Sequence, residues 1–293
     1  MPKREPFIDL IKVIAIVLVI FFHFSYQATR QNSLRIVGFF GVSLFFIVSG
    51  FILAKNYEKL QKFSLKWFGK RYIRIITVYY PALILILILF YKQAYAGNIF
   101  ANLLAHFTFI DSQFATYAYG IISPAWFLTP MILLYLFFPI INKFMKKYAW
   151  LIFPVFLMVI GLRFFTASYI SINPLFFLGE FCFGISFANN KKLFALFAAL
   201  PIILISPWML VPFLIFALLN LVKESIPSIK IIKIISSYTL VLFLLHEGLM
   251  NLIFDKWHIY SLPKYPAIIL YLFLVILLTL FSNRVNKKIY FKK

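Results

Sequence analysis

The chain has 293 residues, of which 63% are hydrophobic, 20% are aromatic and only 13% are charged. These proportions lie far outside those of water-soluble globular domains. A single cysteine, Cys182, excludes an intrachain disulfide and a thiolate metal site. The composition therefore predicts a polytopic membrane protein.

Ten apolar segments follow one another along the chain, and each is long enough, or nearly so, to cross a bilayer as a helix. We therefore predict an all-α polytopic membrane protein with about ten transmembrane helices. Several segments are short, among them the pair on either side of Pro207. The segments are approximately 7–26, 36–54, 75–91, 121–142, 148–162, 170–188, 193–206, 208–222, 232–254 and 265–283.

The basic residues predict the orientation of these spans. With the N-terminus in the cytoplasm, 22 of the 29 Lys and Arg residues fall in cytoplasmic segments and Lys12 lies within the membrane. The other six fall in external segments: Arg30, Arg35, Lys92, Arg163, Lys256 and Lys264. This bias is typical of the positive-inside rule and predicts cytoplasmic N- and C-termini. The net charge of +21 is then a topological signal with some attraction to membrane lipids, and it predicts no nucleic-acid binding.

The domain organisation follows from the short connections. No extramembrane segment is long enough to fold by itself, so residues 1–293 are predicted to form one membrane-embedded domain without an appended soluble domain. The longest external segment, about 92–120, is predicted to be linker and turns. The apolar run after Lys3 and Arg4 lacks a small-residue cleavage site, so it is predicted to stay as the first helix.

The first span carries three polar residues that are costly in a membrane, namely Asp9, Lys12 and His23. Lys12 and His23 are eleven residues apart, about 16 Å along a helix, and therefore point the same way. Asp9 is three residues before Lys12 and can pair with it. This stripe indicates a bundle interior or a wet cavity. In the alternative interpretation, Asp9 and His23 are interfacial and Lys12 snorkels.

A second cluster of charge precedes the third span, in KWFGKRYIRI. On a helix, Lys66, Lys70 and Arg74 share one face, with Arg71 beside Arg74. Paired guanidinium groups suit bidentate phosphate recognition, which favours Arg71 and Arg74 as specific contacts. Topogenic charge in contact with lipid headgroups explains the same pattern equally well.

Other polar residues within apolar segments divide into two groups. For Ser236 and Tyr238 an interhelical hydrogen bond is the favoured interpretation. Glu180 and the pair His246 and Glu247 are better functional candidates. Gly38, Gly41 and Gly50 in the second span are interpreted as packing residues. Four histidines show no recognisable ligand spacing and predict no metal site: His23, His106, His246 and His258.

Taken together, these segments resemble the acyltransferase family 3 proteins, which are membrane-embedded and O-acylate cell-surface carbohydrates. The resemblance covers nearly the whole chain, and its specificity lies in the order and spacing of five motifs. In the first motif, Lys12 is followed after ten residues by His23 and is preceded by Asp9. The other four are GFFGVSLFFIVSGFIL (38–53), Arg71 and Arg74 in KRYIRI, PAWFLTPMILLYLFFP (124–139) and ISSYTLVLFLLHE (235–247).

The resemblance implies a donor substrate and a catalytic residue. The donor is cytoplasmic acyl-CoA, expected to be acetyl-CoA, with its phosphates near Arg71, Arg74 and Lys70, and no permanently bound cofactor is expected. His23 is the implied catalytic residue, with Asp9 and Lys12 as further site residues. The family usually has arginine where this chain has Lys12, and many members have an acidic residue where this chain has Ser43.

Helix geometry is compatible with this scheme. If the first helix enters the membrane near Phe7, His23 lies about 24 Å from the cytoplasmic surface of a hydrocarbon core that is roughly 30 Å thick. In this outer part of the membrane, a cytoplasmic donor and an external acceptor could meet. A neutral imidazole can take the proton from a sugar hydroxyl or carry the acyl group itself, and both routes remain open. Lys12, about 16 Å below, is expected to act electrostatically, either along the donor path or paired with Asp9.

On the basis of this resemblance, we expect an O-acyltransferase of the bacterial plasma membrane. Its expected acceptor is a lipid-linked or nascent surface polysaccharide, and its further partners are membrane lipids and a polysaccharide-synthesis complex. A transporter or flippase for a lipid-linked glycan is the leading alternative, because it would also need cavity-facing charges. A non-catalytic scaffold of a polysaccharide-synthesis complex is a further alternative.

Overall fold

A computed structural model of the chain describes residues 5–57, 65–89, 98–110, 121–166, 173–254 and 264–291. Within these ranges there are eleven α-helices, several of them preceded or followed by a turn of 3₁₀-helix, and no strand. The helices are α1 Pro6–Thr29, α2 Arg35–Tyr57, α3 Leu65–Leu89, α4 Ile99–Thr108, α5 Leu128–Lys147, α6 Ile152–Thr166, α7 Leu178–Ala188, α8 Lys192–Ala199, α9 Val211–Leu221, α10 Lys230–Ile253 and α11 Lys264–Phe291.

The predicted all-helical, polytopic membrane fold is confirmed. Six helical stretches of the described residues are long and apolar enough to cross a membrane: α1, α2, most of α3, α5 and α6 with their preceding 3₁₀ turns, and α10. The other four predicted spans coincide with the shorter apolar helices α7, α8 and α9 and the central part of α11. The predicted ends 90–91 and 170–172 lie outside the described residues.

Two boundaries differ from the predicted ones. Helix α3 begins at Leu65, ten residues before the predicted span, because the basic segment is already helical. The segment 92–120 was predicted to be linker, but residues 99–108 of it form α4. The side chain of Asn98 accepts a hydrogen bond from Ala101 N and thereby begins this helix.

The described residues divide into two compact units. The first unit comprises the described parts of 1–22, 31–63 and 130–239, and the second comprises those of 23–30, 64–129 and 240–293. The division falls within α1, α5 and α10, each of which contributes one part to each unit. The single domain 1–293 stays a prediction.

The first unit is organised by the close approach of α2 and α7. A Cβ on Gly50 would fall on the carbonyl oxygen of Phe181, and a Cβ on Gly184 would fall on that of Ile47. Small residues let helices approach in this way where lipid provides no hydrophobic driving force. The predicted packing role is therefore confirmed for Gly50.

The second unit ties α4 to its neighbours through His106, which is fully buried. Ile121 N donates to His106 Nε2 at 3.2 Å, so Nε2 carries the lone pair. The protonated Nδ1 then donates to the Tyr79 hydroxyl oxygen at 2.8 Å, and that hydroxyl donates to the carbonyl oxygen of His106 at 3.3 Å. Only the neutral imidazole satisfies every member of this network, because a protonated Nε2 would face the N–H of Ile121.

The close contact of α2 and α7 predicts that Gly184→Ala destabilises the protein. The added methyl group must push α2 away, and overpacking of this kind costs about 1–3 kcal/mol. The matched control is Gly161→Ala in α6, where a Cβ meets nothing within 4 Å. That substitution should be neutral or stabilising by up to about 1 kcal/mol. Thermal unfolding in detergent checks both, and equal Tm values for the two variants would contradict the packing assignment.

The His106 network predicts a loss of stability in acid. Burial lowers the pKa of His106 from 6.5 to about 4. As pH falls, the unfolded chain therefore binds the proton before the folded protein does. The stability that neutral His106 contributes is complete above about pH 6.5 and is lost between about pH 6.5 and 4. The total loss is about 3 kcal/mol.

The variant His106→Gln removes the titrating group. Its stability should therefore fall less than that of the wild type across this pH range, whatever its stability at neutral pH. Thermal unfolding at a series of pH values measures the two slopes. Identical slopes would show that His106 is not the titrating group.

Candidate active site

The second unit joins the end of α1 to the end of α10 through a histidine and a carboxylate. His23 Nδ1 lies 2.8 Å from Glu247 Oε1. The two side chains are 26% and 19% exposed, so the pair is accessible from outside the protein core.

A second contact lies one helical turn further along both helices. Gln27 Nε2 donates to Asn251 Oδ1 at 3.4 Å, and Phe24 contacts Phe254 with ring centroids 5.3 Å apart. Gln27 and Asn251 lie four residues beyond His23 and Glu247 respectively, so the two helix ends run in the same direction. The predicted topology also gives these helices, its first and ninth spans, the same direction.

The end of α10 is held in place by α11 and α3. The Tyr271 hydroxyl of α11 donates a short hydrogen bond to the carbonyl oxygen of Leu245. Gly248 leaves room for this tyrosine and for Ile86 of α3, because a Cβ there would lie 2.6 Å from the Tyr271 hydroxyl and 2.9 Å from Ile86. Glu247 is therefore positioned by packed helices rather than by a loop.

The geometry assigns the two nitrogens of His23. A carboxylate oxygen accepts hydrogen bonds, so Nδ1 of His23 carries a proton toward Glu247. In the neutral imidazole the lone pair is then on Nε2. A histidine oriented by a carboxylate is the arrangement that general bases and nucleophile-activating bases share.

His246 adds a second imidazole beside the first. Its ring centroid is 4.8 Å from that of His23, and the residue is only 6% exposed. Sequence spacing predicted no cluster of histidines, yet the fold brings these two together. His23, His246 and Glu247 each offer one atom within 4.8 Å of the others, a set that could ligate a divalent cation. The absence of a metal site stays a prediction.

The predicted phosphate-binding residues lie on the first turns of α3. Arg74 is exposed, whereas Lys70 and Arg71 are half-buried. The helical arrangement of this basic face is as predicted, and the side chain of Lys66 lies outside the described residues. What the face binds stays a prediction.

Asp9 and Lys12 belong to the first unit. Asp9 is 1% exposed, and Ser236 donates to its Oδ1 at 2.5 Å. The interpretation of Ser236 as an interhelical hydrogen-bonding residue is therefore confirmed. Lys12 is half-buried on the same helix, and a contribution of either residue to catalysis stays a prediction.

The first unit also contains a fully buried ion pair that the sequence did not reveal. Arg163 Nη2 donates to Glu180 Oε1 at 2.6 Å and to the carbonyl oxygen of Phe176 at 2.9 Å. Ser43 donates to the same oxygen of Glu180 at 3.3 Å. Counting Arg163 among the external loop residues was wrong, because it lies in α6 and is 1% exposed. Its partner Glu180 offsets the cost of burying its charge.

Comparison with known proteins supports one family. The family model described as an acyltransferase domain, that of acyltransferase family 3, matches residues 5–223, about three quarters of the chain. Peptidoglycan O-acetyltransferase OatA of Listeria monocytogenes serovar 1/2a (strain ATCC BAA-679 / EGD-e) is 28% identical over 117 residues, which are 38% of this chain and 18% of OatA. The chain thus spans less than a fifth of that relative's length. No solved structure matches the chain.

The family match includes His23 and the basic face of α3, but it ends at residue 223. Glu247 and His246 therefore lie beyond it. In the sequence both were visible only as polar residues in an apolar segment, and their contact with His23 emerges only from the fold.

Proposed function

This chain belongs to the acyltransferase 3 family, and from that membership we propose that it is an integral-membrane O-acyltransferase acting on carbohydrate. It transfers an acetyl group from cytoplasmic acetyl-CoA to a hydroxyl of a lipid-linked or nascent polysaccharide at the bacterial plasma membrane. The similarity to OatA, a peptidoglycan O-acetyltransferase, supports acetyl as the transferred group and a cell-envelope glycan as the acceptor. The observation that carries the proposal is the accessible pair His23 and Glu247.

In the proposed reaction, His23 Nε2 acts as a general base. It removes the proton of the acceptor hydroxyl while the hydroxyl oxygen attacks the thioester carbonyl carbon. The carbon–sulfur bond then breaks, and the CoA thiolate takes the proton from His23, which returns the imidazole to its neutral form. Glu247 stabilises the imidazolium that exists between these two steps, because its carboxylate already accepts the Nδ1 hydrogen.

The donor is proposed to bind on the basic face of α3. Arg71 and Arg74 would hold the CoA phosphates through bidentate hydrogen bonds, and Lys70 would add a point charge beside them. Lys70 and Arg71 are half-buried and Arg74 is exposed. Lys12 is proposed to act electrostatically, either along the donor path or paired with Asp9, whose carboxylate accepts a hydrogen bond from Ser236.

The proposed base predicts that His23→Ala lowers kcat by about 10²- to 10⁴-fold, the usual contribution of a general base. Glu247→Gln retains an acceptor for Nδ1 but loses the charge, and it should lower kcat by about 10- to 100-fold. Release of free CoA thiol by the purified protein, with glycan acceptor present, measures both.

The matched control is Thr29→Ala, near the end of the same helix, where an exposed hydroxyl bonds to the carbonyl oxygen of Ser25. That variant should retain wild-type kcat. Wild-type rates in His23→Ala would overturn the assignment of the base. Trapping of an acyl group on His23 would replace the general base by a covalent carrier.

The proposed donor site predicts a raised KM for acetyl-CoA in Arg71→Gln and in Arg74→Gln. Each lost charge-assisted interaction should raise it by about 10- to 100-fold. The value of kcat should change little, because the phosphates are held alike in ground and transition states. Lysine at either position should restore only part of the loss.

The control for charge is Arg284→Gln, an exposed arginine of α11 that is predicted to lie in the cytoplasm. It should leave the KM for acetyl-CoA unchanged. If neutralising Arg71 and Arg74 also left KM unchanged, the basic face would be topogenic and the phosphate-binding assignment would be removed.

A further inference from the structure

His246 takes no part in the reaction proposed above, although it is the residue before Glu247 and contacts His23. The two imidazole rings meet edge to face, with an angle of 67° between their planes. The ring of Phe243 also lies near His246, with 5.9 Å between the ring centroids. A buried imidazole thus stands directly beside the proposed base.

The hydrogen bonds of His246 fix its tautomer. Its Nδ1 lies 2.7 Å from the backbone carbonyl oxygen of Phe243, one turn earlier in α10. A carbonyl oxygen can only accept, so Nδ1 carries the hydrogen and Nε2 of the neutral ring carries the lone pair. This Nε2 is buried and has no hydrogen-bond partner among the described residues. It is therefore an acceptor without a donor, in a residue that is 94% buried.

We propose that His246 Nε2 accepts a hydrogen bond from a second hydroxyl of the acceptor sugar, while His23 Nε2 takes the proton of the hydroxyl that is acylated. This inference rests on the proposed function and adds a specificity-determining residue to it. The acceptor is then a polyol, and the site binds a hydroxyl next to the one that is acylated.

Distance and chemistry support this pairing. The ring centroids are 4.8 Å apart, which is within reach of two neighbouring hydroxyls of one sugar, each making a hydrogen bond of about 2.8 Å. A lone pair requires a donor, and a hydroxyl is the donor that every carbohydrate acceptor supplies. A site with a buried acceptor discriminates strongly against a substrate that lacks the donor, because the acceptor is then left without a partner.

The test uses the full chain in lipid nanodiscs with acetyl-CoA and a panel of methyl hexosides, each compared with its monodeoxy analogues. For the wild type, removing one neighbouring hydroxyl should lower kcat/KM by about 5- to 100-fold, beyond the loss of the reacting hydroxyl itself. In His246→Phe, an aromatic ring of similar size without a lone pair, this deoxy penalty should disappear. In His246→Gln, whose amide oxygen can accept, part of the penalty should return.

The deoxy penalty is a ratio, so a variant that merely folds less well lowers both rates and leaves the ratio unchanged. A wild type indifferent to every neighbouring hydroxyl would overturn the inference. A penalty that survives unchanged in His246→Phe would overturn it as well. Failure of the proposed function looks different, since the wild type would then transfer no acetyl group to any acceptor, and the inference would fall with it.

Discussion

Polar groups inside apolar helices must find partners, and this constraint organises each unit of the protein. Lipid offers no hydrogen bonds, so an unpaired charge or donor within a helix costs several kcal/mol. In the first unit the constraint joins Arg163 to Glu180 and Asp9 to Ser236. In the second it joins His23 to Glu247. Glycines such as Gly184 then allow the close helix contacts on which such geometry depends.

These pairs differ in burial, and the difference distinguishes a pair that stabilises helix packing from a pair that is a candidate for catalysis. Both members of the Arg163–Glu180 pair are completely buried, and the pair joins α6 to α7. The His23–Glu247 pair is about one-quarter exposed and has its reactive nitrogen assigned by the carboxylate. A partly exposed, oriented imidazole is what acyl transfer to a hydroxyl requires. The functional proposal follows from this contrast together with the family.

Much of the fold could be predicted from the sequence, because long apolar runs are read directly from local composition. His23 was found for the same reason, since a titratable residue within an apolar run is conspicuous. Its partner Glu247 is 224 residues away, and no local pattern records a contact at that distance. Arg163 was assigned to a loop because charge alone suggests exposure, whereas a partner on another helix decides its burial. Helix α4 was missed because ten residues are too few for a membrane span.

We propose that this chain transfers acetyl groups rather than moving glycans. Proteoliposomes containing the purified chain, lipid-linked envelope glycan and labelled acetyl-CoA test it most directly. The proposed transfer should yield labelled ester on the glycan and free CoA in equal amounts. Movement of the glycan across the bilayer without release of CoA would contradict it and would identify a transporter.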